Sequence, residues 1–299
     1  MESAKDIPES WRPDAAALGF VGDEASGWVR SLRGRDIRFR LLRTLDDLAH
    51  AERLQKDVFG VSERDLIPAN ELIVIEETGG AVIGAFAAEH TDQAAAVLVG
   101  RGGFVGRPRI VSDFLAVRPE ARNLGLAAEL KRLQAAVALQ RGFEEIVWTV
   151  DPLRAANARL NFGKLGAVAT RYEIDRYGST FAPGLYGGMP SDRLHVTWRI
   201  TTLAVVQRLL GRGEAIAAET APLPAYRSGT SERTARVDIP ADIDALLADD
   251  LAGALDWRMR VREALISAFG EGFVITGFQS AEPDQPPALV LERQQSSET

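Results

Sequence analysis

The stretch between residues 110 and 140 constrains the fold most. Residues 110–117 (IVSDFLAV) form a short apolar run of strand length, and Pro119 stops it. Leu126, Leu130, Leu133 and Val137 then recur every three or four residues. That spacing predicts a helix over about 124–140, with Lys131, Arg132 and Gln134 away from its apolar side. Between strand and helix lies Arg122-Asn123-Leu124-Gly125-Leu126-Ala127. The first N–H groups of a helix have no intrahelical partner, and the helix dipole adds positive potential there. Such a turn can hold a phosphate. Gly125 lets backbone approach a ligand closely, and Ala127 keeps the next position small. On these residues alone, an ordinary strand–helix connection with a close-packing glycine fits equally well.

The flanking chain alternates in period. Residues 36–43 (DIRFRLLR) place Ile37, Phe39 and Leu41 in period two, a strand, and Thr44 is a good N-cap for the helix that follows. Residues 71–77 (ELIVIEE) and 81–90 (AVIGAFAAEH), joined by Thr78-Gly79-Gly80, are expected to make a hairpin. Residues 91–103 read as a loop or ragged edge. Downstream, 145–150 predicts a buried strand, 155–165 a helix, and 167–175 and 194–202 two strands, with a Gly- and Pro-rich loop at 176–193. The order β-α-β-β-β-α-β-α-β-β over 36–202 predicts an α/β (α+β layered) domain with a mixed sheet.

The expected organisation is an N-terminal extension (1–34), a main domain (35–202), a helix and linker (203–233), a C-terminal β-α-α-β-β unit (234–293) and a disordered tail (294–299). The extension either packs through Trp11 and Trp28 or forms a mobile tail. The C-terminal unit reads either as half of the same fold or as an unrelated appendage.

Composition excludes several classes of function. The 299 residues carry a formal charge of −7 and no cysteine. An acidic chain is a poor nucleic-acid binder, since such binding uses Lys and Arg to neutralise phosphates. Disulfides, thiolate metal sites and cysteine nucleophiles are ruled out, which fits a cytoplasmic protein. His50, His90 and His195 form no metal-spaced pair, so no metal is expected; His90 and His195 read as structural. No apolar run is long enough to span a membrane, and the N-terminus does not read as a secretory signal.

A second stretch resolves the ambiguity of the first. Asp151-Pro152-Leu153, Asn157-Ala158 and Lys164-Leu165-Gly166-Ala167 follow one strand and one helix after the Arg122–Ala127 turn. In that order, the two motifs resemble the GNAT superfamily of acyl-CoA N-acyltransferases. Tyr177-Gly178 and Asp192-Arg193-Leu194 further resemble a subfamily of acetyltransferases, some of whose relatives are linked to amino-acid N-succinylation. The resemblance covers residues 36–292. It implies a central, splayed β-sheet flanked by helices, with the C-terminal unit as a half-repeat of that fold. It also implies acetyl-CoA or succinyl-CoA as acyl donor, no metal, and a small-molecule amine, such as an amino acid, as acceptor. No nucleic-acid or membrane partner is expected, and a homodimer is allowed.

The same resemblance distributes roles. Backbone groups of Asn123, Leu124, Gly125, Leu126 and Ala127 would hold the CoA pyrophosphate, helped by Arg122 unless it is a solvated surface charge. Leu115 and Val117 would offer backbone groups to the pantetheine arm. Asn157 would hydrogen-bond the arm or cap its helix. Amine attack on a thioester needs a base within hydrogen-bond reach. Asp113, on one strand face with Leu115 and Val117, is the first candidate, or else a structurally paired acid. Asp151 is the second, or else an N-cap. Tyr177 and Arg193 would read a carboxylate on acceptor or acyl group, or anchor the loop. Where many relatives carry a tyrosine that protonates the leaving thiolate, this chain has Phe162, which cannot donate a proton. An acyl-CoA sensor or scaffold without chemistry is the alternative to an enzyme.

Overall fold

A computed structural model describes residues 6–87, 92–178, 186–212 and 223–294. His90, the tail from 295 and much of the linker after 212 lie outside the described residues. The chain divides into two compact units. One comprises Ile7–Trp148 with Arg199–Thr201, and the other Met1–Asp6, Thr149–Trp198 and Thr202–Thr299.

The first unit begins with β1 (Val21–Asp23), β2 (Gly27–Leu32) and β3 (Arg35–Leu41), joined as antiparallel neighbours. The segment before residue 35 thus supplies two strands. Trp28 is buried, whereas Trp11 is 65% exposed, so one of the two aromatics expected to pack does so. Next come α1 (Leu45–Phe59), the single turn α2 (Ala69–Leu72) and a 3-10 helix (Ile73–Thr78), then β4 (Ala81–Ala87) and β5 (Ala96–Val105). β6 (Arg107–Val117), a 3-10 turn (Pro119–Leu124), α3 (Leu126–Gln140) and β7 (Glu145–Val150) complete the run. The strands stand in the order β1-β2-β3-β4-β5-β6-β7. Every pairing is antiparallel except that of β6 with β7.

Two expectations fail here. Residues 71–77 are helical, not a strand. Leu72 and Ile75 are buried three residues apart while Ile73 and Val74 are exposed, a helical rather than a two-residue period. Pro68 precedes this segment and Gly79, at φ 78°, ends it. The hairpin partner of β4 is instead β5, in the segment read as ragged. The apolar face of α1 (Leu48, Ala51, Leu54) packs on Val82, Phe86, Val97, Val99 and Ala116, with Leu72 and Ile75 closing the cluster. Thr44 caps α1 as expected, accepting from the Asp47 N–H.

The second unit holds α4 (Ala155–Ala158), which continues as a π-helical turn (Arg159–Lys164), then β8 (Val168–Glu173) and β9 (Arg193–Arg199). After α5 (Leu203–Leu209) come β10 (Thr234–Asp238), α6 (Ile243–Asp249), α7 (Leu251–Gly270), β11 (Phe273–Gln279) and β12 (Ala288–Arg293). Its strands run β9-β8-β11-β12-β10. The expected β-α-α-β-β order is present from β10 to β12. Its pairing differs from the β3-β4-β5 run: β3 bonds to the next strand in sequence, whereas β10 bonds to β12 and β11 lies beyond.

Candidate active site

The turn after β6 joins the strand to α3 through a glycine. Residues 119–124 form one 3-10 turn, and Gly125, at φ 81°, redirects the chain into α3. An L side chain is strained at that φ. A Cβ added at Gly125 meets nothing within 4 Å, so the turn faces open space. The first α3 bonds come from Ala128 and Glu129 to the Gly125 carbonyl. Leu126 and Ala127 stand in the first turn of α3, where a helix supplies its own N–H groups with no i−4 acceptor. Arg122 and Asn123 are exposed beside them, Leu124 half-buried and Leu126 buried.

The strand before the turn carries two irregularities. Opposite β5, the register jumps from Val99↔Phe114 to Gly100↔Ser112, leaving Asp113 as the extra residue of a bulge. Opposite β7, the parallel rungs are Ile110↔Ile146 and Val111↔Val147, with none beyond among the described residues. From Ser112 onward β6 keeps its pairing with β5 but has no further rung on the β7 side, and Leu115 and Val117, half-buried, lie on that stretch. Asp113 pairs with Arg101, whose Nε donates at 2.6 Å. Burial raises the Asp113 carboxyl above its ordinary range, while Arg101 pulls it back down. An acid held that way is suited to proton uptake nearer neutrality than a free aspartate.

Beneath this strand α3 departs from the amphipathic reading. Lys131 and Gln134, assigned to its polar side by periodicity, are buried. The Lys131 Nζ donates to Ser112 Oγ at 2.9 Å and to Gln134 Oε1 at 3.2 Å, and lies 3.9 Å from the Trp148 ring centroid. Burial lowers the Lys131 ammonium to about 7. The signal in the sequence was the run Ala135–Leu139 (AAVAL), which makes α3 apolar nearly all round and leaves its polar residues no solvent face.

The remaining expected residues belong to the second unit. Asp151 is buried, and its carboxylate receives both Nη groups of Arg258 at 2.9 Å each and the Leu153 N–H at 2.9 Å. Burial alone would raise its carboxyl, but Arg258 holds it below the ordinary range. Asn157 is exposed on α4, and Phe162 is buried in the π-helical turn. The Arg193 guanidinium stacks 5.0 Å from the Tyr177 ring and 5.1 Å from the Tyr186 ring, and bonds the Tyr186 hydroxyl. The Tyr177 hydroxyl lies 3.3 Å from Thr149 Oγ1. Asp192, fully buried, anchors the loop. It accepts from Tyr172 at 2.6 Å, from the Asp175 N–H at 3.0 Å, and from Arg262 at 2.8 and 3.0 Å. The Asp-Arg-Leu motif thus splits its work, Asp192 latching the loop and Arg193 stacking between rings. His195 pairs at the surface with Glu173 and Arg171, a structural setting.

Residues 39–166 match the model of the acetyltransferase (GNAT) family. This segment has the GNAT fold. The match takes in β6, the Gly125 turn, α3 and Asp113. Solved structures with similar folds include a NatC complex bound to Gag peptide and CoA (14% identity, 55% of this chain and 98% of that one, TM-score 0.45). Another is a GNAT-family acetyltransferase from Streptococcus pneumoniae (16% identity, 54% and 98%, TM-score 0.43). A third is the ribosomal-protein-S18-alanine N-acetyltransferase from Escherichia coli (16%, 56% and 95%, TM-score 0.43). A search of curated proteins found no match. Among the described residues, no side-chain group is arranged to hold a metal, and no helix is long and apolar enough to cross a membrane.

Proposed function

We propose that the protein is a CoA-dependent N-acyltransferase that moves an acetyl or succinyl group to the amine of a small molecule of the amino-acid class. The observation that carries this reading is the turn at Gly125–Ala127: Gly125, at φ 81° with open space at its Cβ position, leads into the first turn of α3 at the end of a strand that has parted from its neighbour. Its place within the segment that matches the GNAT model supports the CoA pyrophosphate as the anion it would hold.

Each residue then has a task. The N–H groups of Gly125, Leu126 and Ala127 hold the pyrophosphate, with Arg122 adding charge and Asn123 and Leu124 framing the turn. Leu115 and Val117 offer backbone groups to the pantetheine arm. Asp113 takes the proton from the acceptor ammonium, directly or through one water. The freed amine attacks the thioester carbonyl carbon; a C–N bond forms, the C–S bond breaks, and the thiolate leaves with the electron pair. Phe162 cannot protonate that thiolate, so the second proton of the attacking nitrogen reaches it through solvent water, giving the free thiol and the neutral amide. We assign Asp151 to structure rather than to base catalysis, because Arg258 occupies both its oxygens. For an amino-acid acceptor or a succinyl donor, Arg193 and Tyr177 are the groups whose chemistry suits the carboxylate. The proposed location is the cytoplasm.

The test is twofold. Acetyl-CoA and succinyl-CoA are titrated calorimetrically into the protein and its Gly125→Glu variant, and thiol release is followed with a panel of amino acids. Binding by the parent chain, its loss in the variant, and thiol release with at least one amine are expected. Binding with no thiol release from any amine would favour an acyl-CoA sensor. No binding of either thioester would overturn both readings.

A further inference from the structure

β6 and β7 share their last parallel rung at Val111↔Val147. The next residue on one strand is Ser112 and on the other Trp148. Lys131 contacts both, its Nζ 2.9 Å from Ser112 Oγ and 3.9 Å from the Trp148 ring centroid. Gln134, one turn further along α3, steadies the same ammonium at 3.2 Å. One side chain therefore ties both arms of the fork to one helix, at the point where the arms part. The same helix starts at Leu126, directly after the Gly125 turn.

We propose that Lys131 is a positioning residue: by pinning Ser112 and Trp148 to α3 it fixes the reach from the Gly125 turn to the fork, and so the placement of the acyl group for attack. This rests on the acyltransferase reading above. A buried lysine without a carboxylate is costly and needs a reason. No acidic group pairs with it among the described residues. From β5 the charged residue is Arg101 and from β6 Asp113, and these two pair with each other. Arg107 and Arg109 of β6 are engaged with Glu145 of β7, and β4 contributes no charge. On α3 itself Glu129 pairs with Arg132. What faces the ammonium is a hydroxyl, an amide and an indole. Burial brings its titration to about 7, so the strength of the pin is set within the neutral range.

The variants Lys131→Met, Lys131→Arg and Ser112→Ala test this in the full chain, after circular dichroism confirms folding. With acetyl-CoA, Lys131→Met is expected to keep a calorimetric Kd within about threefold while kcat falls on the order of 10²-fold, as for a misplaced reacting group. Lys131→Arg, which keeps the charge, should recover part of kcat, and Ser112→Ala should lose less than Lys131→Met. An unchanged kcat in Lys131→Met, or equal loss of Kd and kcat, overturns the proposal. The contact has its own readout without donor or acceptor. Intrinsic fluorescence should step near pH 7 in the parent chain and not in Lys131→Met or Trp148→Phe. A step that survives either substitution, or is absent from the parent, sinks the pin. A chain that binds no acyl-CoA yet shows the step overturns the acyltransferase reading and leaves a pin with no acyl group to place, which overturns the positioning role with it.

Discussion

At the residue scale, two aspartates that look alike in sequence end in opposite situations. Asp113 sits at a bulge with one arginine and a raised carboxyl; Asp151 is buried with both oxygens on Arg258 and a lowered one. Asp113→Asn should lower kcat/KM by about 10²-fold or more in a thiol-release assay, with acetyl-CoA affinity kept. Removing Arg101 (Arg101→Met) leaves burial to raise Asp113 further. The acid limb of the kcat/KM profile should then move to higher pH. Asp151→Ala strands a buried guanidinium and should cost ~3–5 kcal/mol in denaturant unfolding, with the double variant Asp151→Leu/Arg258→Met recovering part of it. Because the folded-state carboxyl of Asp151 is depressed, its contribution is present above the ordinary carboxylate range. It is lost as pH falls below that range, since the unfolded state then binds more protons. Acid unfolding of the parent chain should therefore begin at higher pH than in the double variant, as followed by circular dichroism. The two acids were distinguishable in sequence only as strand-interior and strand-end residues. Their partners, Arg101 and Arg258, come from positions 12 and 107 residues away.

At the element scale, the start of α1 was legible, whereas β1, β2 and β5 and the helical turns over 69–78 were not. Thr44 announced α1, and Asp242 and Asp250 cap α6 and α7 through side-chain oxygens. Residues 71–77 looked like a strand because Ile and Val are common there; burial at Leu72 and Ile75 decided for helix. That turn of helix is held closely against β5. The Gly102 N–H donates to Thr78 Oγ1 at 3.1 Å, and a Cβ on Gly102 would stand 1.7 Å from the Thr78 carbonyl oxygen. Backbone must move to admit it, so Gly102→Ala should destabilise by ~1–3 kcal/mol or more by denaturant unfolding. Gly125 is the contrasting case. Its space is open and its φ positive, so Gly125→Ala should cost only ~1–2 kcal/mol of conformational strain.

At the scale of the whole molecule, the groups proposed to hold CoA phosphates all lie in the unit built from Ile7–Trp148. Acetyl-CoA at a hundred times its Kd should add about 2.7 kcal/mol to the stability of whatever unfolds with that site. Hydrogen exchange should show the new protection at the amides of residues 125–127 and along β6, with β10–β12 unchanged at the same ligand concentration. Protection at β10–β12 and none at the turn would place the ligand elsewhere.

The sequence by itself determined the alternation of strands and helices, the strand–turn–helix at 110–140 and the glycine at its hinge. Those depend on local periodicity and on a φ that one residue type accepts freely. Tertiary structure decided the rest, because the deciding contacts join residues far apart in the chain. It paired β4 with β5, set the bulge at Asp113 against β5, and placed β12 between β10 and β11. It also turned Lys131 from a residue off the apolar stripe into a buried cation shared by two strands. Helical periodicity reports which residues share a face. It cannot report that sheet residues pack against the other face as well.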